Sequence, residues 1–206
     1  MLNNIKLILF DLDGVLINSK QNMHLSWNAV LKKHKLKISF TKYFSNIGIP
    51  FKKILQKLGI NKMLHNSIEL TYSKNSIKYL SKIKLYPNTK KIINSLKKKG
   101  IKIGVVTSKD RKRTLKLVKK FRLNIKHISC PNSKLRGKPY PDQLLNILKK
   151  EKIKAKEAIY VGDMKVDYHA AHRAKVSFIF ASYGYGKKFL LYKYMISDLN
   201  NLLKYI

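Results

Sequence analysis

Residues 5–16 read IKLILFDLDGVL, an almost wholly apolar run that ends in two carboxylates, Asp11 and Asp13. Short apolar runs rich in branched residues are typical of strands buried on both faces of a parallel sheet. The chain has only ten acidic residues among 206, so a pair placed directly after a predicted strand indicates chemistry. The stretch therefore predicts an internal strand that brings two carboxylates to one edge of a sheet.

Similar strand patterns recur further along the chain. Residues 101–106 (IKIGVV) and 158–162 (AIYVG) read as buried strands, and 126–129 and 176–180 are weaker candidates. Helical patterns separate them at 88–99, 112–121, 141–150 and 165–174. Strands that alternate with helices at this spacing form βαβ units. We therefore expect an α/β fold, a Rossmann-like parallel sheet with helices on both faces.

Residues 18–84 interrupt this alternation. They lack clear strand runs, and their apolar residues follow helical spacing, as in Trp27, Val30 and Leu31. A structureless connection of roughly 70 residues is implausible in a compact domain. We expect an inserted α-helical cap at 18–84, with a core formed by 1–17 and 85–206.

Composition excludes several classes of protein. No apolar run approaches the roughly 18–20 residues that span a bilayer, and the N-terminal residues show no signal-peptide pattern. Cys130 is the single cysteine, so an intramolecular disulfide is impossible and a reducing compartment is favoured. We expect a cytoplasmic protein with no membrane partner.

The formal net charge of +35 raises the alternative of a nucleic-acid-binding protein. Such a protein shows a cluster of cations on one face, and specific contacts favour arginine. Only five of the 45 cationic residues are arginine, and the lysines are spread along the chain. Abundant Lys, Asn and Ile together fit a bias of the coding sequence. Binding of specific nucleic acid is the less favoured hypothesis.

Polar residues follow each of the three strongest strand patterns. Asp11, Thr107 and Asp163 lie at or just past the strand ends, and Asp167 follows Asp163 by one helical turn. The carboxyl ends of parallel strands share one edge, where ligands bind. A single Asp often serves as a helix cap or turn residue. Four of the ten acidic residues, Asp11, Asp13, Asp163 and Asp167, lie in two such motifs. This concentration favours a functional site.

Four segments together resemble a known family. DLDGVL, Thr107 in GVVTS, Lys138 in GKPYPD and VGDMKVD at 161–167 are similar, in order and spacing, to the four motifs of the haloacid dehalogenase-like hydrolases. The likeness is greatest to phosphoglycolate phosphatase-like members with a helical cap. It covers 1–17 and 85–206, whereas the cap matches by position only. The resemblance implies a phosphatase acting on a small phosphomonoester, such as phosphoglycolate or a sugar phosphate.

The resemblance also implies roles, which agree with the chemistry of these residue types. Asp11 is the expected nucleophile, forming an aspartyl-phosphate. Asp13 is expected to protonate the leaving alcohol and then to activate water. Thr107 and Ser108 are expected to bind the phosphate. Lys138 is expected to neutralise charge on Asp11 and the phosphate.

Repulsion between these carboxylates and a phosphate predicts a divalent cation, and Mg²⁺ prefers oxygen ligands of this kind. We assign its ligands to Asp11, the backbone carbonyl of Asp13, and Asp163. Asp167 is expected to act through water or by orienting Lys138.

Some questions stay open at this point. The resemblance leaves a phosphosugar mutase of the β-phosphoglucomutase type open, because such a mutase has the same four motifs. It disfavours dehalogenase chemistry, because dehalogenase members of the family lack the counterpart of Asp13. A catalytically silent scaffold is expected to lose one of the motif residues, and none is lost. Residues 184–186 (GYG) form either a loop lining the site or a simple turn. Trp27 and Tyr43 in the cap either contact the substrate or pack between cap and core, and packing is the favoured hypothesis. The oligomeric state is unknown.

Overall fold

A parallel sheet forms the centre of the molecule in a computed structural model, which describes residue 2 and residues 4–206. The strands are β1 (Leu7–Phe10), β2 (Ile17–Asn18), β3 (Lys84–Leu85), β4 (Lys102–Val106), β5 (His127–Ser129), β6 (Ala158–Gly162), β7 (Ser177–Ala181) and β8 (Tyr194–Ile196). Six of them form one sheet in the order β5-β4-β1-β6-β7-β8, with every neighbouring pair parallel.

Helices connect the strands. They are α1 (Lys20–His34), α2 (Phe40–Phe44), α3 (Phe51–Lys57), α4 (His65–Lys78), α5 (Thr89–Lys98), α6 (Arg111–Lys120), α7 (Asp142–Glu151) and α8 (Lys165–Arg173). Short 3₁₀ helices lie at Lys62–Leu64, Leu80–Lys82, Ala155–Glu157 and Leu199–Tyr205. Across the described residues, no helix has both the length and the apolar character needed to cross a membrane.

The central strand β1 is buried on both faces. Ile8 and Phe10 point into one core, with side chains from α5 and α6, while Leu7 and Leu9 point into a second core with α7 and α8. All four side chains are fully buried, as the apolar run predicts. The expected α/β fold, a parallel sheet with helices on both faces, is confirmed.

Helices α1 to α4 form a separate apolar cluster, and α1 packs along α4. The chain enters and leaves this helical unit through a short antiparallel ribbon, in which Ile17 pairs with Leu85 and Asn18 with Lys84. This ribbon and β8 were not predicted, because two or three residues are too few to show a period.

Trp27 lies at the centre of the helical unit. Its ring is fully buried and stacks on Tyr43 at 4.4 Å between ring centroids, and its Nε1–H donates to the carbonyl of Ile38 at 3.0 Å. We expect Trp27→Ala to lower the free energy of unfolding by about 3–5 kcal/mol, through lost burial and an unfilled cavity.

Met63→Ala is the matched control, because this side chain is 88% exposed, and a change below about 0.5 kcal/mol is expected. Urea unfolding of both variants measures the difference. If Trp27→Ala lowered the free energy of unfolding as little as Met63→Ala does, the apolar cluster of helices α1 to α4 would not stabilise the fold.

Candidate active site

Three neighbouring strands bring polar side chains to the same edge of the sheet. Asp11 follows β1, Thr107 follows β4 and Asp163 follows β6, and all three are buried. Backbone hydrogen bonds fix two of these positions. The N–H of Asp11 donates to the carbonyl of Val161 at 2.8 Å, and the N–H of Thr107 donates to the carbonyl of Ser129 at 3.1 Å. These three residues, predicted from separate strand ends, therefore lie side by side.

The ammonium group of Lys138 lies between two carboxylates. Its Nζ is 2.6 Å from Asp167 Oδ1 and 3.0 Å from Asp11 Oδ1, and the side chain is 1% exposed. Tyr160 also donates its hydroxyl to Asp167, at 3.0 Å. Burial alone lowers the pKa of Lys138, but the charges of Asp11 and Asp167 outweigh it and hold that pKa above its usual value. Lys138 is therefore a fixed positive charge.

One lysine does not neutralise this cluster. Asp11, Asp163 and Asp167 each place a carboxylate oxygen within 4.8 Å of the other two. Burial raises the pKa of Asp11 to about 7, against the opposing effect of Lys138. Burial, followed by the charges of Asp167 and Asp11, raises the pKa of Asp163 well above its usual value. The site therefore favours binding of a further positive charge.

The surroundings of Asp163 fit a metal ligand. Its Oδ2 accepts a hydrogen bond from the N–H of Tyr185 at 2.6 Å, whereas its buried Oδ1 has no partner in the described part of the chain. A Cβ atom at Gly14, Gly184 or Gly186 would overlap Asp163. Residues 184–186 therefore form a loop lining the site. The unpaired carboxylate oxygen is the kind of ligand that Mg²⁺ prefers.

Asp167 is placed differently from Asp163. Its Oδ1 accepts from Lys138 and Tyr160, and its Oδ2 accepts from the N–H of Met164 at 3.0 Å. Both of its oxygens are thus occupied by the protein. This geometry suits a residue that orients Lys138.

Both carboxylate oxygens of Asp13 are held by side chains outside the predicted set. Ser19 donates its hydroxyl to Oδ1 at 2.5 Å, and the ammonium of Lys109 is 3.2 Å from Oδ2. Ser19 precedes α1, a position at which serine commonly caps a helix, yet its side chain makes no cap hydrogen bond. Lys109 is one lysine in a lysine-rich chain, so no pattern singles it out.

A small cavity of about 60 Å³ lies above Asp11. The sheet edge contributes Thr107, Lys138 and both motif aspartates, and the helical unit contributes mainly apolar side chains: Met23, Tyr43, Ile47, Ile49, Phe51, Ile54 and Tyr72. Tyr43 therefore both packs against Trp27 and lines the cavity. Ser108 borders it as well, with its hydroxyl donating to the carbonyl of Gly48 at 2.7 Å.

A family profile described as haloacid dehalogenase-like hydrolase matches residues 8–181. The chain belongs to the haloacid dehalogenase-like hydrolases. The resemblance carried by the four motifs is confirmed.

Three known proteins illustrate what this haloacid dehalogenase-like hydrolase is similar to, and each matches it over most of both chains. A phosphoglycolate phosphatase of Aquifex aeolicus is 31% identical and covers 88% of this chain and 87% of its own. A protein of Caldanaerobacter subterraneus subsp. tengcongensis, provisionally named pyrophosphatase PpaX, is 32% identical, with 97% and 93% covered. A solved haloacid dehalogenase-like hydrolase structure from Bacteroides fragilis, also provisionally named, superimposes with a TM-score of 0.86 at 27% identity, covering 96% and 99%.

The raised pKa of Asp163 gives a prediction for the metal-free protein. An unfolded Asp ionises near pH 4, whereas folded Asp163 holds its proton to higher pH. The folded state therefore binds the extra proton, and stability falls as pH rises through this range. Asp163→Asn removes that loss and keeps an acceptor for Tyr185. In EDTA at pH 8 we therefore expect its Tm to rise, by about 2–4 °C for each 1 kcal/mol of stability recovered in a chain of this size.

The increase in Tm of Asp163→Asn is expected to be smaller at pH 5, because less of the charge repulsion among the buried carboxylates is present there. Asp142→Asn is the control, because Asp142 is paired with Arg136 near the surface and its pKa is lowered; its Tm is not expected to rise. Calorimetry in EDTA at both values of pH measures these changes. A lower Tm for Asp163→Asn at both would contradict the repulsion.

Proposed function

We propose that this chain is a Mg²⁺-dependent phosphatase that hydrolyses a small phosphomonoester through an aspartyl-phosphate on Asp11. The observation that carries the proposal is the buried group of three carboxylates around Lys138, with Asp163 Oδ1 unpaired among the described residues. Membership of the family and relatives named phosphoglycolate phosphatase support it.

The proposed Mg²⁺ ligands are Asp11, the backbone carbonyl of Asp13, and Asp163. Asp167 acts on the metal through water or through Lys138, since its own oxygens are occupied. A carboxylate approaching a phosphate costs about 4 kcal/mol per charge pair at 4 Å and an effective dielectric of about 20. Mg²⁺, when bound there, offsets this repulsion and polarises the phosphoryl group.

In the first half-reaction, a carboxylate oxygen of Asp11 attacks phosphorus and the bond to the leaving oxygen breaks. Asp13 gives its proton to that oxygen. Thr107 accepts from the N–H of Lys109 at 3.2 Å, so its own hydroxyl hydrogen is available to a phosphoryl oxygen. Ser108 contributes its backbone N–H, since its hydroxyl donates to Gly48.

In the second half-reaction, Asp13 takes a proton from water as the water oxygen attacks phosphorus. The bond between phosphorus and Asp11 breaks, phosphate leaves, and Asp13 carries the proton for the next cycle. Ser19 and Lys109 hold one oxygen each of Asp13. These contacts keep the acid/base on the side of the leaving group in both half-reactions.

The proposed division of labour follows the two parts of the chain. The core, 1–17 and 85–206, supplies every group that touches the phosphoryl group. The cap, 18–84, supplies the apolar wall of the cavity, which faces the rest of the substrate. The cap therefore selects the substrate without taking part in bond making.

The metal requirement gives the first functional prediction. Hydrolysis of a panel of phosphomonoesters that includes phosphoglycolate and glucose 6-phosphate is expected to vanish in EDTA and to return with Mg²⁺, because the carboxylate cluster repels the phosphate without a cation. Colorimetric release of phosphate measures it. Full turnover after demetallation would contradict the proposal, and isomerisation of a phosphosugar without phosphate release would identify a mutase.

The second functional prediction separates the two motif aspartates. Asp13→Asn keeps the nucleophile but loses proton transfer, which is typically a factor of roughly 10²–10⁴. Acetyl phosphate needs no such proton, because acetate leaves as a stable anion. Rapid quenching is therefore expected to show a burst of acetate near one per enzyme, followed by slow turnover and a trapped phosphoenzyme.

Asp11→Asn is the matched control and is expected to give neither burst nor phosphoenzyme, since the nucleophile is gone. Phosphoglycolate, which needs the proton to expel its alkoxide, is expected to give no burst with Asp13→Asn. Equal losses for both substrates without a phosphoenzyme would show that Asp13 is not the acid/base.

A further inference from the structure

Lys109 is an unusual lysine in this chain. Its side chain is 6% exposed, although most lysines here are exposed, and its ammonium is 3.2 Å from Asp13 Oδ2. Keeping an ammonium out of water is costly unless its donors are used. An ammonium has three donors, and one carboxylate oxygen is the charged partner that the described residues provide. Lys109 therefore has capacity for a second anion.

The position of Lys109 says which part of a substrate it meets. It lines the cavity together with Asp13, which faces the leaving-group oxygen in the proposed reaction. Lys138 is the other cation among the described residues that line the cavity. It forms ion pairs with Asp11 and Asp167, at the end that binds the phosphoryl group in the proposed reaction. A charge a few atoms beyond the leaving oxygen would thus lie next to Lys109.

The remaining wall narrows the choice of leaving group. The cavity is only about 60 Å³, and its cap side is formed mainly by apolar and aromatic side chains. Tyr43 donates its hydroxyl to Tyr72 at 2.9 Å, so the two phenols partly satisfy each other. A sugar with many hydroxyls would lose its hydrogen bonds to water against this wall. Size and polarity both favour a leaving group of few atoms.

We propose that Lys109 is a specificity-determining residue that binds a second negative charge on the leaving group. The preferred substrates are then small phosphate compounds whose leaving group carries a carboxylate or phosphate. This inference rests on the proposed phosphatase function of the same site. It assigns the leaving-group end to Lys109 and the phosphoryl end to Lys138.

The test compares two substrates of nearly equal size. Phosphoglycolate carries a carboxylate on its leaving group, whereas 2-hydroxyethyl phosphate carries a neutral hydroxymethyl group. The ratio of their kcat/KM values isolates the second charge, because any effect of Lys109 on Asp13 falls on both substrates. Lys109→Met is expected to lower this ratio by roughly 10–100-fold, the size of a lost charged hydrogen bond.

Lys109→Arg, which keeps the charge, is expected to restore most of the ratio. Lys116→Met, at an exposed lysine on α6, is the matched control and is expected to leave the ratio unchanged. Pyrophosphate distinguishes a phosphate from a carboxylate as the favoured second anion. Glucose 6-phosphate is expected to be the poorest substrate.

A second readout does not depend on the rate of the variant. Glycolate, the product, is expected to inhibit the wild-type protein, and Lys109→Met is expected to weaken that inhibition by at least about tenfold. An unchanged substrate ratio and unchanged inhibition in an active Lys109→Met would overturn this inference alone. Absence of turnover of every ester by the Mg²⁺-loaded wild type would instead overturn the proposed function.

Discussion

A charged lysine buried among carboxylates is the constraint on which the site depends. Lys138 is 1% exposed, with Asp167 at 2.6 Å and Asp11 at 3.0 Å. Removing an ammonium from water costs several kcal/mol, and only well-placed opposite charges offset it. Asp11 follows β1, Asp167 lies in the first turn of α8, and Lys138 lies between β5 and α7. One buried cation thereby fixes three segments of the core relative to each other.

The same constraint explains how the site divides its charges. Lys138 and Tyr160 occupy Asp167, so Asp163 is left with a buried oxygen that has no partner in the described part of the chain. Lys109 and Ser19, in contrast, contact the two carboxylate oxygens of Asp13. Asp11 and Asp13, which are separated by a single residue in the sequence, thus have different charged partners. That difference suits a nucleophile and an acid/base.

The sequence predicts the parts of this arrangement that follow from local pattern. Asp11, Thr107 and Asp163 are found because strand periodicity places them at the carboxyl ends of parallel strands. Lys138 has no such signal and is recognised only through its motif. The roles of Ser19 and Lys109 cannot be predicted in this way, because they arise from contacts with Asp13 that form only in the folded chain. Lys109 is also one of 45 cationic residues, so composition does not distinguish it.

Unfolding of the metal-free protein tests the buried lysine most directly. Lys138→Met leaves Asp11 and Asp167 without their cation and is expected to lower the free energy of unfolding by about 3–5 kcal/mol. Adding Asp167→Asn removes one unpaired charge and is expected to recover a large part of that loss, which identifies charge rather than packing as the cause. Urea unfolding in EDTA measures both variants. A Lys138→Met cost below about 1 kcal/mol, or a double variant less stable than the single one, would contradict the account.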